Sequence, residues 1–516
     1  GDITFGGGLD DGGTDSGLTT ANGYMGRTAA DGIPDGYAKG SNTGADTSGS
    51  DGIYLANNHL IYSANGNVFL AGWGSSRTSP AVQETGIQSF NGTVDSGTGL
   101  LQVVGKANGT ACGSHGLYFN AQSPGTYGPD VWTSANTTAN AIRFTGDASA
   151  STGSCNRGIV SWQYAVYNAT TSYQGFRVLA TGTGGGIALT GYGANNSGNT
   201  NDGVDLNFTD ILAKSGPIVV TGSTPTAAGD NSAGVAFGRY GNGANNVRFG
   251  NEPVTYTNTA GTATDFTVSS SNITINADRI WTQTGVNGYY FLTTGAVKFL
   301  PIEQSFDQTA VSSGWDFSLM NFGSGVTNLQ IGTSGTSSTQ SIKPLTLNSA
   351  VSIAGPISIY GSNLTTNSAL TTTSSSDDIT IQATGTATTS GTLSTTGSTS
   401  NVVVKGTNLS TAAITTTTGN VTLTGSGTVT SSGTLTAGGT GSTVTATGTT
   451  MSVAAVTANS GITITGSAGV TASGALTTSA ATAPISVSGT SVSTATTSSS
   501  STVALTSTST TLSTGA

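Results

Sequence analysis

Two cysteines, two histidines and a scatter of carboxylates are the residues of this chain that could carry chemistry. Cys112 and Cys155 are its only cysteines and His59 and His115 its only histidines. With two histidines, a closed four-ligand zinc site is not expected. Two cysteines in a secreted chain ordinarily pair. A Cys112–Cys155 bond would close an excursion that holds Tyr118, Phe119, Tyr127, Trp132 and Phe144. The chain-entropy value of a loop of that size is about 4 kcal/mol. An early acidic stretch carries Asp10, Asp11, Asp15, Asp31, Asp35, Asp46 and Asp51. Its Asp31-Gly32-Ile33-Pro34-Asp35-Gly36 phrase resembles a fragment of a calcium loop, and oxygen-rich, Gly-rich loops suit Ca²⁺. Asp31 and Asp35 are therefore weak calcium candidates. The spacing is not that of an EF-hand and the phrase occurs once, so solvated turns are the plainer reading.

Catalysis is tested by inventory. Hydrolysis of a polysaccharide needs grouped carboxylates with supporting charge. Residues 341–516 offer only Lys343, Asp377, Asp378 and Lys405, and the charges before them are scattered along the chain. No enzyme is expected. Ten Asn-x-Ser/Thr sequons are acceptor candidates for glycosylation: Asn91, Asn108, Asn136, Asn168, Asn195, Asn207, Asn272, Asn363, Asn408 and Asn420.

The elements that must position these residues are set by an unusual composition. Of 516 residues 77 are Gly, and only 7% are charged, against about 25% in an average soluble domain. Helical bundles need Glu and Lys in quantity and are excluded. Collagen needs Gly at every third residue, and no such period exists. The formal charge of -10 would repel phosphate, so nucleic acid is not a partner. No run of about 18 apolar residues is present to cross a bilayer. The chain opens Gly1-Asp2-Ile3-Thr4-Phe5, without the basic start and apolar core of a signal peptide. Both ends read as cuts through something longer, or as faces that meet a neighbour.

Disorder is the remaining bland class, and periodicity speaks against it. Ile379-Thr380-Ile381 recurs as Val421-Thr422-Leu423, Ile462-Thr463-Ile464 and Val503-Ala504-Leu505. The step is nearly constant, about 41–42 residues, which is the mark of a repeat architecture. A second triplet keeps the same phase at Val402-Val403-Val404, Val444-Thr445-Ala446 and Ile485-Ser486-Val487. Apolar-polar-apolar triplets read as strands with one buried face. Gly at fixed offsets reads as turns of positive φ. A unit of about 20 residues buries its face only by stacking on copies of itself. A looser version runs through the first part, as in 203–222 and 184–191. The expected fold is an all-β, right-handed parallel β-helix (a β-solenoid) of about 20–25 residues per coil. Residues 1–340 would form a decorated part with irregular, longer coils and loops projecting from one side. Positions 341–516 would form regular repeats of about 41–42 residues, two coils each. At that coil length the chain would make roughly 20–25 coils and a rod of about 100–120 Å.

The phrases Ser313-Gly314-Trp315-Asp316-Phe317-Ser318, Ile353-Ala354-Gly355-Pro356-Ile357-Ser358-Ile359-Tyr360-Gly361 and Gly419-Asn420-Val421-Thr422-Leu423-Thr424-Gly425 resemble the repeat region of large bacterial adhesins of the filamentous haemagglutinin type. The resemblance covers about 200–516 well and 50–200 loosely. It implies a two-partner-secretion-like β-helix on the surface of a Gram-negative bacterium. The secretion domain and the C-terminal barrel of a full-length member are absent, so an internal piece or a trimmed chain is implied.

The expected function is that of an extracellular structural or adhesive rod, in contact with a host or cell-surface glycan or protein, or with copies of itself in a filament. Trp73, Tyr127, Trp132, Trp162 and Tyr192 are contact candidates, because aromatic residues are enriched at contact surfaces. No cofactor is expected apart from the weak calcium site. A polysaccharide-active β-helix enzyme is the alternative. So is an ice-binding solenoid using Thr422, Thr424, Thr463 and Thr465, although that row breaks at Gln382 and Ala504.

Overall fold

Alternation of apolar and polar residues, with few charges, leaves a segment able to pair on both edges and bury one face. The computed structural model realises this. It describes residues 1–6, 37–40, 51–75, 83–122, 129–164, 175–224, 232–239, 246–251, 255–257, 263–283, 288–303, 306, 319–334 and 345–515. Among these the chain is all-β, without an α-helix, and every strand pairing but one is parallel. Long parallel ladders of this kind are compatible with a β-solenoid. Two compact units, Gly1–Gly323 and Ser324–Ala516, divide the chain. The change of composition at 340/341 therefore falls inside the second.

In the first unit each coil contributes to three ladders. One runs through Ile3, Val68, Leu101, Ile142, Ile187, Ile218, Ile273 and Val297, each in register with the next. The second runs through Ile53, Ile87, Leu117, Ile159, Val204, Val235 and Ile280. The third is formed by Leu60–Tyr62, Thr93–Asp95, Asp130–Ser134, Phe176–Ala180, Thr209–Ala213, Asn246–Gly250, Gly288–Leu292 and Met320–Phe322. Coil length varies in this unit, and most register steps along the first ladder are longer than the roughly 20–25 residues expected per coil. From Val68 onward, the register step along the first ladder is shortest from Ile273 to Val297 and more than twice as long from Ile218 to Ile273. The longest step holds the exceptional antiparallel hairpin, Thr255–Thr257 with Ala263–Asp265. Phe266 follows it and packs with Val131, Leu179 and Leu212 on the outside of the third ladder. Excursions consume chain that coils would otherwise have used, so the first unit holds fewer coils than a uniform coil length implied.

The interior is aromatic as well as aliphatic. Phe119 stacks on Phe176 at 4.2 Å and on Phe144 at 5.4 Å, with Trp132 edge-on to Phe119 and Phe144. Phe249, Phe291 and Phe322 form a second stack through three successive coils.

Some glycines are turn formers of positive φ, such as Gly97, Gly113 and Gly439, but a second set works differently. Gly72, Gly105, Gly146, Gly191 and Gly222 are in register at the end of the first ladder. Gly86, Gly116, Gly158, Gly203 and Gly234 start the second. A Cβ on any of the first five would lie inside the van der Waals envelope of the carbonyl oxygen of its partner in the second set. None of the ten has positive φ. They are glycine because two backbones touch there, not because the chain turns left-handed.

The second unit is regular. Its ladders pass through Ile357, Ile379, Val402, Val421, Val444, Ile462, Ile485 and Val503, through Leu364, Ala387, Leu409, Val429, Met451, Val470, Val492 and Leu512, and through Val351, Leu370, Leu393, Ile414, Leu435, Val456 and Leu476. From Ile379 the first of these alternates longer and shorter steps: long to Val402, short to Val421, long to Val444, short to Ile462. The alternation continues through Ile485 and Val503, so each sequence repeat is two coils of unequal length. Inward threonines take hydrogen bonds within the coil: Thr372, Thr395, Thr416 and Thr478 donate to the carbonyls of Asp377, Ser400, Gly419 and Ala483 at 2.7–3.0 Å.

Replacing Gly146 by Ala should lower stability by about 1–3 kcal/mol, the usual cost of overpacking. Gly461→Ala, whose Cβ would meet nothing nearer than 3.6 Å, should change it by less than about 0.5 kcal/mol. Urea midpoints of the two variants check this.

Candidate functional site

Two groups of side chains stand out, both on the outer face of the second ladder of the first unit. Strand alternation fixes them: Ile53, Ile87, Leu117, Ile159, Val204 and Val235 point inward, so Tyr54, Gln88, Tyr118, Val160, Asp205 and Ala236 form the neighbouring outer column.

The first group is a buried charge network. Arg157 Nε lies 3.3 Å from Asp202 Oδ2 and 3.1 Å from Asp205 Oδ2. Arg239 Nη2 lies 2.7 Å from Asp202 Oδ1, and its guanidinium packs over the Trp281 ring at 4.4 Å. Asp202 Oδ1 also accepts the Ala233 backbone N–H at 2.8 Å. Both carboxylates are fully buried and both arginines nearly so. The charges that look scattered in sequence are thus gathered by coil register, and their closeness corrects the expectation of dispersal. Burial pushes Asp205 up to about 7, against the opposing pull of Arg157. His115 accepts the Arg157 backbone N–H at Nδ1, at 3.2 Å. Burial, and then the Arg157 charge, hold His115 well below its ordinary value, so it stays neutral. A second ion-paired column lies on the outside of the third ladder, where Asp210 sits between Arg177 at 3.0 Å and Arg248 at 3.8 Å.

The second group is aromatic and uncharged. Tyr54 packs on Phe90 at 5.3 Å, Phe90 meets Tyr118 edge-on at 6.4 Å, and His115 flanks Tyr118. Asn120 Nδ2 donates to Tyr118 Oη at 2.8 Å. Trp162, half-buried, is in register with Asn120 on the next coil. Tyr54 is 60% exposed, whereas Phe90 beneath it is buried.

The contact candidates fare unequally. Trp162 belongs to this aromatic group. Trp73 is half-buried against Tyr37, Ala71 and Val104, with Lys106 Nζ over its ring at 4.7 Å. Tyr192 is half-buried three coils away in the same column as Trp73. Trp132 is a correction: it is fully buried, its Nε1 donating to Asp130 at 3.1 Å, and it presents no surface to a partner. Tyr127, Asn168, Asp31 and Asp35 lie outside the described residues. Among the described residues no group of three or more His, Cys, Asp or Glu could hold a metal ion.

Cys112 and Cys155 form a disulfide between successive coils, their Cα atoms 5.1 Å apart. Beside it runs a ladder in which each backbone N–H donates to a side chain of the following coil. Glu84 donates to Ser114 Oγ, Ser114 to Asn156 Oδ1, Asn156 to Asn201 Oδ1 and Asn201 to Ser232 Oγ, at 2.8–3.1 Å.

Of the sequons, Asn91 and Asn207 are buried and cannot accept a glycan, which removes them as candidates. Asn195, Asn272, Asn363, Asn408 and Asn420 are exposed, and Asn108 and Asn136 are half-buried. Several of these asparagines serve the stack: Asn363, Asn408 and Asn420 accept the backbone N–H of Thr386, Thr428 and Thr443 on the next coil, each at 2.9 Å.

With this geometry in hand, comparison with protein-family models, with curated proteins and with solved structures finds no match for the chain. No helix of the described residues is long and apolar enough to cross a membrane.

Asp130 gives a pH test. Burial pushes its carboxyl up to about 7, against hydrogen bonds from Ser89 and Trp132, whereas an unfolded aspartate titrates near about 3.9. The folded chain therefore holds a proton that the unfolded chain has lost. The contribution is present in full below about pH 4 and is lost as the pH rises through 7. The stability of Asp130→Asn relative to the unaltered chain should rise between pH 4 and pH 8 in urea titrations. Separately, the double replacement Cys112→Ser, Cys155→Ser should lower stability by up to about 4 kcal/mol, measured the same way.

Proposed function

We propose that this chain is an extracellular structural and adhesive protein, a rigid β-solenoid rod of the filamentous haemagglutinin type on a Gram-negative cell surface. The single observation that carries the reading is the parallel register of the strands of three ladders, kept from coil to coil within each unit. Within such a stack the outer faces repeat about every 4.8 Å. In its finer form the reading makes both stacks right-handed β-helices, since crossovers between parallel strands are right-handed in about 98% of cases. The disulfide supports an oxidising, extracellular setting. The partners proposed are glycans or proteins of a host or neighbouring cell, and copies of the chain itself. The last strand, Val503–Thr514, leaves Val503 and Leu512 exposed. This supports pairing with a second copy of the chain, as in a head-to-tail filament or a biofilm matrix.

No catalytic role is assigned, because Asp202, Asp205 and Asp210 are held in buried ion pairs. A specific observation favours the ice-binding alternative as a second reading. On the second unit the outward positions Thr422, Thr445, Thr463 and Ser486 run beside Thr424, Thr447, Thr465 and Ser488 as two straight hydroxyl columns.

Electron microscopy of the purified chain should show rods or filaments, and beads coated with it should attach to cell surfaces. Round particles together with non-adherent beads would sink the adhesive-rod reading. Arrest of ice growth by the isolated protein would favour the second.

A further inference from the structure

The uncharged aromatic group on the outer face of the first unit points to a partner class. We propose that Tyr54, Tyr118 and Trp162 are stacking platforms for the rings of a neutral glycan, and that Asn120 and Tyr118 hydrogen-bond one of its hydroxyls. This rests on the adhesive reading for its setting and names the ligand that reading leaves open.

The hydrogen-bond capacity of the pair is specific. Asn120 is only 6% exposed, and its Oδ1 has no partner although its Nδ2 is committed to Tyr118 Oη. An amide oxygen has two lone pairs to fill, and a buried acceptor left empty is costly. Tyr118 Oη accepts the Asn120 bond and keeps its own O–H to donate. Burial pushes the Tyr118 hydroxyl up to about 12, so it remains protonated. One acceptor and one donor therefore stand side by side. A sugar hydroxyl, itself both donor and acceptor, completes both.

The platforms are preorganised. Phe90 is buried between Tyr54 and Tyr118 and touches both rings, so ligand binding would freeze few rotamers. Gln88, half-buried, lies between the two tyrosines in the same column and adds an amide. Trp162 lies three coils from Tyr54 and two strand positions out of its column, about 14 Å along the stack and about 7 Å along the strand. That strip suits a narrow extended polymer. It is far smaller than the roughly 800 Å² per partner that a stable protein interface buries.

Charge decides between kinds of glycan. None of the five side chains Tyr54, Gln88, Tyr118, Asn120 and Trp162 is charged, the neighbouring cation Arg157 is sealed in its ion pairs, and the chain as a whole is at -10. An anionic polymer would be repelled, and a neutral one would not.

The test is calorimetric titration of the full chain with soluble oligosaccharides of glucose, N-acetylglucosamine and galactose. At least one should give saturable heat that is unchanged by added salt. Tyr54→Ser, at an exposed position, should weaken binding at least tenfold. Tyr118→Phe, which keeps the ring and removes only the hydroxyl, should weaken it threefold to tenfold. Tyr360→Ala, in the other unit, should leave it unchanged. Absence of saturable heat with all three sugars would overturn the assignment, as would unaltered binding by both Tyr54→Ser and Tyr118→Phe. Bead attachment measured in parallel separates the two readings. Attachment without sugar binding overturns the glycan site alone, and sugar binding without attachment overturns the adhesive role alone.

Discussion

Close contact between backbones is the constraint on which the first unit depends. Where the chain leaves one ladder and enters the next, Gly72 meets Gly86, Gly105 meets Gly116, and so on through Gly222 and Gly234. No other residue fits either side of that contact. Once the corner is closed this tightly, the two ladders stay near enough for their inward side chains to fill the space between them. Parallel hydrogen bonding then carries the corner from coil to coil. The aromatic stacks of Phe119 and Phe249 and the gathering of Arg157, Asp202 and Arg239 follow from that repetition, since residues far apart in sequence become neighbours only when register is kept.

The side-chain ladders serve the same register from outside the strands. At the entrance to the second ladder, Ser114, Asn156, Asn201 and Ser232 receive the backbone N–H groups that strand pairing leaves over. In the second unit Asp378, Asn401 and Asn420 do so for Asn401, Asn420 and Thr443. A turn that would otherwise leave donors unpaired is tied to its neighbour, and the abundance of Asn, Ser and Thr acquires a reason. The disulfide adds one covalent tie in the same place.

The regular unit was legible because its connections are short and of nearly constant length. Val421-Thr422-Leu423 and its repeats show strand, face and phase together. The first unit hid its coils because connections vary from a short corner to a whole hairpin, which no fixed period can describe. A signal was nevertheless present. Leu70-Ala71-Gly72, Val103-Val104-Gly105, Phe144-Thr145-Gly146, Leu189-Thr190-Gly191 and Val220-Thr221-Gly222 are each followed, a short way beyond the glycine, by a second Gly before Ile, Val or Leu. The charge network was not legible. Arg157, Asp202, Asp205 and Arg239 have no spacing of their own, and only the pairing of Ile159 with Val204 and of Val204 with Val235 brings them together. Burial was equally hidden for Trp132, because an aromatic in a strand reads the same whether it faces in or out.

The second unit carries no charged side chain beyond Lys405. From there onward the chain holds its stack through backbone pairing, aliphatic burial and neutral hydroxyls. None of those interactions gains or loses a proton between acid and mildly alkaline water, and none is screened by salt. The protein thus joins a stretch whose cohesion responds to acidity, around Asp130, His115 and Asp205, to one that is chemically indifferent to its medium. A shift from fresh to saline or from neutral to acid surroundings would be felt at one end of the sequence and ignored at the other.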